Sequence, residues 1–232
     1  MPPKPRYTKD EIAVVALDIV KEQGISALTA REVAKRLGTT VSPIFTTFKN
    51  MDEVKWAARE LAMKEYEEYI GDFRSYTPAF KRIGMMMVSY AIYQPEIFKL
   101  LFMQENKKGL SFEDAMNIDG HLAKTCIDVV QEENDLSKEE AKLLFEQMWI
   151  YTFGIASLCA MKVCNFTEEE IANRLGIVFL SLITRIKSGN KPDVIGKPVK
   201  KQDQIKINDN GKKSKESETD RIINIHRGRH GE

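Results

Sequence analysis

Cysteine is scarce in this chain, with only Cys126, Cys159 and Cys164 among 232 residues, an odd number without C-x-x-C spacing. That excludes a disulfide framework and fits a reducing compartment, with packing thiols as the default role. Histidine is equally sparse at three residues. His121 has no second histidine or cysteine near it, and His226 and His230 lie in a Gly- and Arg-rich stretch with no helix to hold them. Neither arrangement builds a metal site, and a lone His121 suits a buried or cavity-lining imidazole. No run of about 18 uncharged apolar residues exists, so no membrane span is expected. The start, Met-Pro-Pro-Lys-Pro-Arg, leads into Lys9, Asp10 and Glu11 with no apolar signal core, so a cytoplasmic location is expected. Motifs of the G-x-S-x-G, P-loop and H-E-x-x-H types are missing, and no repeat of about 20–50 residues is visible. The expectation is a non-enzyme with no cofactor, no metal and no catalytic residues.

Alternating apolar patterns are also missing before residue 188, whereas helix signals recur. Hydrophobic residues make up 43% and charged residues 30%, the balance of a soluble globule. Five hydroxyl residues are followed three positions on by an acid: Thr8/Glu11, Thr29/Glu32, Ser111/Asp114, Ser137/Glu140 and Thr167/Glu170. Such pairs satisfy free N–H groups where a helix begins. Apolar residues at helical spacing follow each of them. About nine helices are predicted, near 8–23, 29–37, 41–47, 52–70, 78–94, 97–102, 111–133, 137–164 and 167–187. The fold class is all-α.

Charge is distributed unevenly beneath a net +1. Residues 1–59 hold 10 Lys+Arg against 7 Asp+Glu, residues 60–187 hold 14 against 20, and residues 188–232 hold 11 against 7. A polyanion would therefore meet the N-terminal segment. Beyond 188 the composition is Lys-, Asp-, Asn- and Gly-rich without aromatics. Such a segment buries too little to order itself, so a disordered charged tail is predicted. A docking role for Ile222-Ile223-Asn224-Ile225 stays open.

The sharpest local signal runs from Thr29 to Phe48. A short helix stops at Gly38, Thr39 and Thr40 make a turn, and a second short helix begins at once, the layout of a helix-turn-helix. With one helix before it and a longer one after Lys49-Asn50, the segment resembles the TetR/AcrR family of bacterial transcriptional regulators. The resemblance rests on Gly24-Ile25-Ser26-Ala27-Leu28-Thr29-Ala30-Arg31-Glu32-Val33-Ala34, on Leu37-Gly38-Thr39-Thr40, and on Ile44-Phe45-Thr46-Thr47-Phe48-Lys49-Asn50-Met51-Asp52-Glu53-Val54.

The resemblance implies a DNA-binding domain over 1–57, a helical effector-binding and dimerisation domain over 58–187, and the tail over 188–232. It implies that Thr29 caps the second helix and touches a phosphate, and that Arg31 reaches another. Thr40 would cap the recognition helix. Val41, Ser42, Pro43, Phe45, Thr46 and Thr47 would then lie at the DNA, with Lys49 beside it. Phe45 stands where the family commonly has tyrosine, and Met51 where a lysine commonly opens the fourth helix, so two phosphate partners are missing.

The methionines and aromatics of the middle region suit either plain core or an adaptable cavity. The resemblance favours a cavity built from Met86, Phe98, Phe102, Met103, Phe112, Met116, His121, Met148, Trp149 and Thr152. It also implies a homodimer through the last two long helices, with Phe153, Gly154, Ser157, Leu175, Val178 and Leu182 at the interface. The function so implied is a cytoplasmic repressor that binds a double-stranded operator and answers a small-molecule effector. The alternative is a helical ligand-binding or scaffolding dimer with weakened DNA binding.

Overall fold

The computed structural model describes residues 6–105, 111–116 and 121–189. Among them are ten α-helices: α1 Lys9–Gln23, α2 Ala30–Arg36, α3 Ser42–Thr47, α4 Met51–Ile70, α5 Ala79–Tyr93, α6 Pro95–Phe102, α7 Phe112–Met116, α8 His121–Asn134, α9 Lys138–Ala160 and α10 Glu168–Ser188. No strand occurs among the described residues. The all-α expectation holds. The predicted tail lies outside the described residues, apart from its first two positions.

The caps explain most helix starts. Thr8, Ser137 and Thr167 form reciprocal boxes with Glu11, Glu140 and Glu170, and Thr29 accepts from the Glu32 N–H at 3.2 Å. Each satisfies amides that the first turn leaves unpaired. Asn50 does the same for α4, accepting from the Glu53 N–H at 2.9 Å.

Two boundaries differ from the prediction. The single helix expected over 111–133 is two, α7 and α8. Asn117, Asp119 and Gly120, all poor helix formers, stand between them in sequence. The helix expected to reach 164 ends at Ala160, where Lys162 takes a φ of 56° and the Val163 N–H donates back to the Leu158 carbonyl at 3.0 Å. The buried stripe of α9 runs out there, since Val163 is 64% exposed.

The first four helices pack through α1 against α4, with Ile12, Ala16, Ile19, Val20, Val33 and Ile44 buried between them. In the rest of the described chain α9 is central, touching α5, α6, α8 and α10. By length and composition α9 alone among the described helices is apolar enough to cross a membrane, at a mean hydropathy of 1.3. Its Ala141, Leu144, Phe145, Met148, Ile155 and Ala156 are instead buried against neighbouring helices, the pattern of an interior helix.

Candidate nucleic-acid interface and effector cavity

Helix α2 buries Val33 and Ala34 on one side and leaves Thr29 and Arg31 exposed on the other. Its end is set by Gly38 at φ +63°, a backbone that favours glycine, and by the Thr39 N–H donating to the Ala34 carbonyl at 2.9 Å. Helix α3 then buries Ile44 and, just past its end, Phe48. The opposite face carries Ser42, Phe45 and Thr46 in the open, with Thr40 and Lys49 exposed at either end. Val41, Pro43 and Thr47 are half-buried.

The expected cap by Thr40 is corrected. The residue in the N-cap position is Val41, and no side chain caps α3. The other side-chain caps here all accept the N–H three residues on, and three residues after Thr40 stands Pro43, which has none. Thr47 is also partly committed, since its hydroxyl donates to the Tyr7 carbonyl at 3.0 Å. Lys49, two residues before Met51, lies 3.9 Å from Glu53 and its side chain is 88% exposed. Met51 opens α4 and packs against the core. Phe45 keeps 43% of its surface exposed.

Tyr7 was not anticipated, yet it ties the unit together. Its hydroxyl donates to the Leu37 carbonyl at 2.9 Å while its own carbonyl holds Thr47. The guanidinium of Arg6 sits over the Tyr7 ring at 5.5 Å, which brings a cation beside the helix-turn-helix. Its bonds span 30 and 40 residues of chain, beyond any local pattern. Arg36 is spoken for by Glu22 at 2.7 Å and Glu32 at 3.3 Å. Those carboxylates raise its pKa, and Arg36 in turn lowers that of Glu22. Arg31, by contrast, has no ion pair among the described residues.

Two cavities lie among the later helices. An inner void of about 50 Å³ is lined by Tyr66, Met87, Cys126 and Phe145 together with four anticipated residues, Phe102, Met148, Trp149 and Thr152. A larger one of about 410 Å³ lies between α5, α8, α9 and α10, and shares Phe80, Gly84, Met148 and Thr152 with the first. Met86, Phe98 and Met116 are buried in the core and line neither cavity. Met103 is half-buried outside both, and Phe112 is 42% exposed, edge-on to Trp149 at 5.8 Å. The side chain of His121 lies outside the described residues. Sequence reasoning missed Phe80 and Gly84.

The proposed interface residues divide. Leu175 is 3% exposed and packs inside the fold, with its Cδ1 facing Gly84, so it is corrected from interface to core. Phe153 is turned inward too, stacked on Trp149 at 5.1 Å. Val178 and Leu182 are half-buried against the core, Gly154 is exposed, and Ser157 holds a buried hydroxyl without a partner. The apolar side chains left in the open are Leu143, Ile150 and Leu158 on α9 and Ile177 and Leu180 on α10.

Residues 12–54 match the family described as bacterial regulatory proteins, tetR family. A transcriptional regulator from Rhodococcus sp. Rha1 is similar in structure, with a TM-score of 0.53 over 76% of this chain and 96% of that one. At 14% identity that likeness speaks to the fold alone. No curated protein matches the chain. The matched residues begin inside α1 and end inside α4, enclosing the whole helix-turn-helix, so the N-terminal unit is similar to the DNA-binding domain of the tetR family of bacterial regulatory proteins.

Proposed function

We propose that the chain is a cytoplasmic, homodimeric transcriptional repressor whose operator affinity changes when a small molecule occupies its helical domain. The observation that carries this reading is the exposed face of α2 and α3. Thr29, Arg31, Ser42, Phe45 and Thr46 stand in the open while Ile44 and Phe48 anchor the helix from behind. A single six-residue recognition helix reads few base pairs, so two copies on a twofold axis are needed for a specific site. The open apolar side chains of α9 and α10 suit that pairing.

Effector control is supported by the position of α6. Phe102 at its end lines the inner void, and Arg59 of α4 donates to the Leu101 carbonyl at 2.8 Å. At its start, a Cβ on Gly24 would stand 2.7 Å from the Glu96 carboxylate. A ligand that favours one setting of α6 therefore shifts the populations of the reading heads.

The test is fluorescence anisotropy with duplex DNA from upstream of the chain's own gene, titrated at fixed salt against a scrambled duplex. Tighter binding to the upstream duplex supports the repressor. Equal, weak binding to both favours a scaffolding dimer, the reading to which Phe45 and Met51 lend weight.

A further inference from the structure

Interiors of proteins are packed to crystal-like density, so an apolar space of about 410 Å³ between four helices needs a cause. Two glycines stand on its wall. Gly84 lies within the 15-residue α5 and Gly176 within the 21-residue α10, and both line this cavity. Glycine inside a helix is less stable than alanine by about 1 kcal/mol. At Gly176 a Cβ would meet nothing within 4 Å, so alanine would fit there without a clash. The helix keeps a costly residue, and the result is open space.

The polar groups around that space are few and unequal. Thr152 is 5% exposed, the one polar side chain among the buried residues described, and it lines both cavities. That hydroxyl lies on the wall facing Gly84, 3.9 Å from where a Cβ would stand. Lys81, one helical turn before Gly84, is exposed at the rim of the same space and has no ion pair among the described residues. The one acid on the wall, Glu133, already accepts the Ala79 N–H at the start of α5 at 2.7 Å. Asn134 donates to the Val130 carbonyl at 2.9 Å. Thr77 adds one more hydroxyl, and Phe80, Met148, Leu175, Phe179 and Leu180 make most of the remaining surface apolar.

We infer that this cavity binds an apolar carboxylic acid, its carboxylate taken by the Thr152 hydroxyl and the Lys81 ammonium and its hydrocarbon body lying along α10. A hydroxyl on the wall of a largely apolar cavity bonds a charged acceptor more strongly than a neutral one. A free lysine selects the negative head over a neutral or positive one. This ligand class rests on the effector reading above, and it deepens that reading.

Calorimetry on the full chain with decanoate, 1-decanol and decyltrimethylammonium tests the class. Decanoate should bind about tenfold more tightly than 1-decanol, and the cation most weakly. Lys81→Gln and Thr152→Val should each remove most of that preference and leave 1-decanol within about twofold. Gly176→Leu, which fills the space from α10, should block both ligands while circular dichroism reports an intact fold. If 1-decanol binds as well as decanoate, or neither binds the wild type, the ligand class is overturned. Operator anisotropy separates the two claims: decanoate that binds but leaves DNA affinity unchanged upholds the ligand and refutes its role as effector.

Discussion

A glutamate at Ile177 probes the proposed dimer through a residue that its own subunit barely uses. Ile177 is 65% exposed, and Leu180, three residues on, is 63% exposed. Fully burying an isoleucine is worth about 1.5–3 kcal/mol. With about two-thirds of its surface still free, roughly 1–2 kcal/mol remains to be gained per copy. Twofold symmetry doubles that to about 2–4 kcal/mol, and at about 1.4 kcal/mol per decade the dimer constant should weaken roughly 30- to 1000-fold. Burying two like charges near one axis adds to the loss. Sedimentation velocity over a dilution series reads the dissociation, and a thermal melt of the same samples reads the fold. Leu175→Ala is the contrasting variant, because Leu175 is 3% exposed in the subunit core. It should cost about 2–5 kcal/mol of folding stability and leave the exposed face unchanged. A folded Ile177→Glu protein that dimerises as tightly as the wild type would refute this placement of the interface.

Phe45→Tyr combined with Met51→Lys should strengthen binding to every DNA sequence and steepen the salt dependence of log affinity by about one unit, as one more phosphate is neutralised. An unchanged salt slope in anisotropy titrations would mean that the start of α4 does not face the backbone. Gly24→Ala should lower the melting temperature by several degrees, at a cost on the order of 2–3 kcal/mol. Gly24 holds φ +80° and ψ 169°, and the added Cβ would stand 2.7 Å from Glu96 Oε2. Tyr7→Phe should leave the Leu37 carbonyl without its partner and cost about 1 kcal/mol, read by urea melts. The carboxyls of Glu11 and Glu140 titrate below their ordinary value of 4.5, chiefly because the backbone N–H groups of Thr8 and Ser137 bond to them. A lowered folded pKa gives stability that is present above the ordinary value and lost as pH falls through the folded one. The double variant Glu11→Gln, Glu140→Gln should therefore show a flatter acid limb in melts from about pH 6 to about pH 3.

The helix-turn-helix was legible because its determinants are local. Each side-chain cap spans three residues, Gly38 marks its own turn, and the spacing of Val33, Ala34, Ile44 and Phe48 announces the buried side. The Thr40 cap failed on an equally local fact, the missing N–H of Pro43, which the sequence contains but the pattern of Thr-capped starts outweighed. Tyr7 was out of reach for the opposite reason, since its partners are 30 and 40 residues away.

The cavity and the proposed dimer face were harder because α10 carries two apolar sides. Ile171 and Leu175 are buried and Val178 and Leu182 half-buried toward the core, while Ile177 stands in the open and Leu180, largely exposed, rims the cavity. Periodicity finds both rows and cannot say which one faces the subunit's own core. The three consecutive methionines of α5 pose the same problem at finer grain. Successive residues turn by about 100° around a helix, so Met87 reaches the inner void while Met86 is buried elsewhere. What would have pointed to the space is the pair of glycines. A residue that weakens a helix, set in the middle of two long ones, conflicts with local propensity, and such conflicts concentrate where a protein needs room or motion. Gly84 and Gly176 come from helices 92 positions apart in sequence and line one cavity, and their shared purpose emerges only when α5 and α10 are packed together.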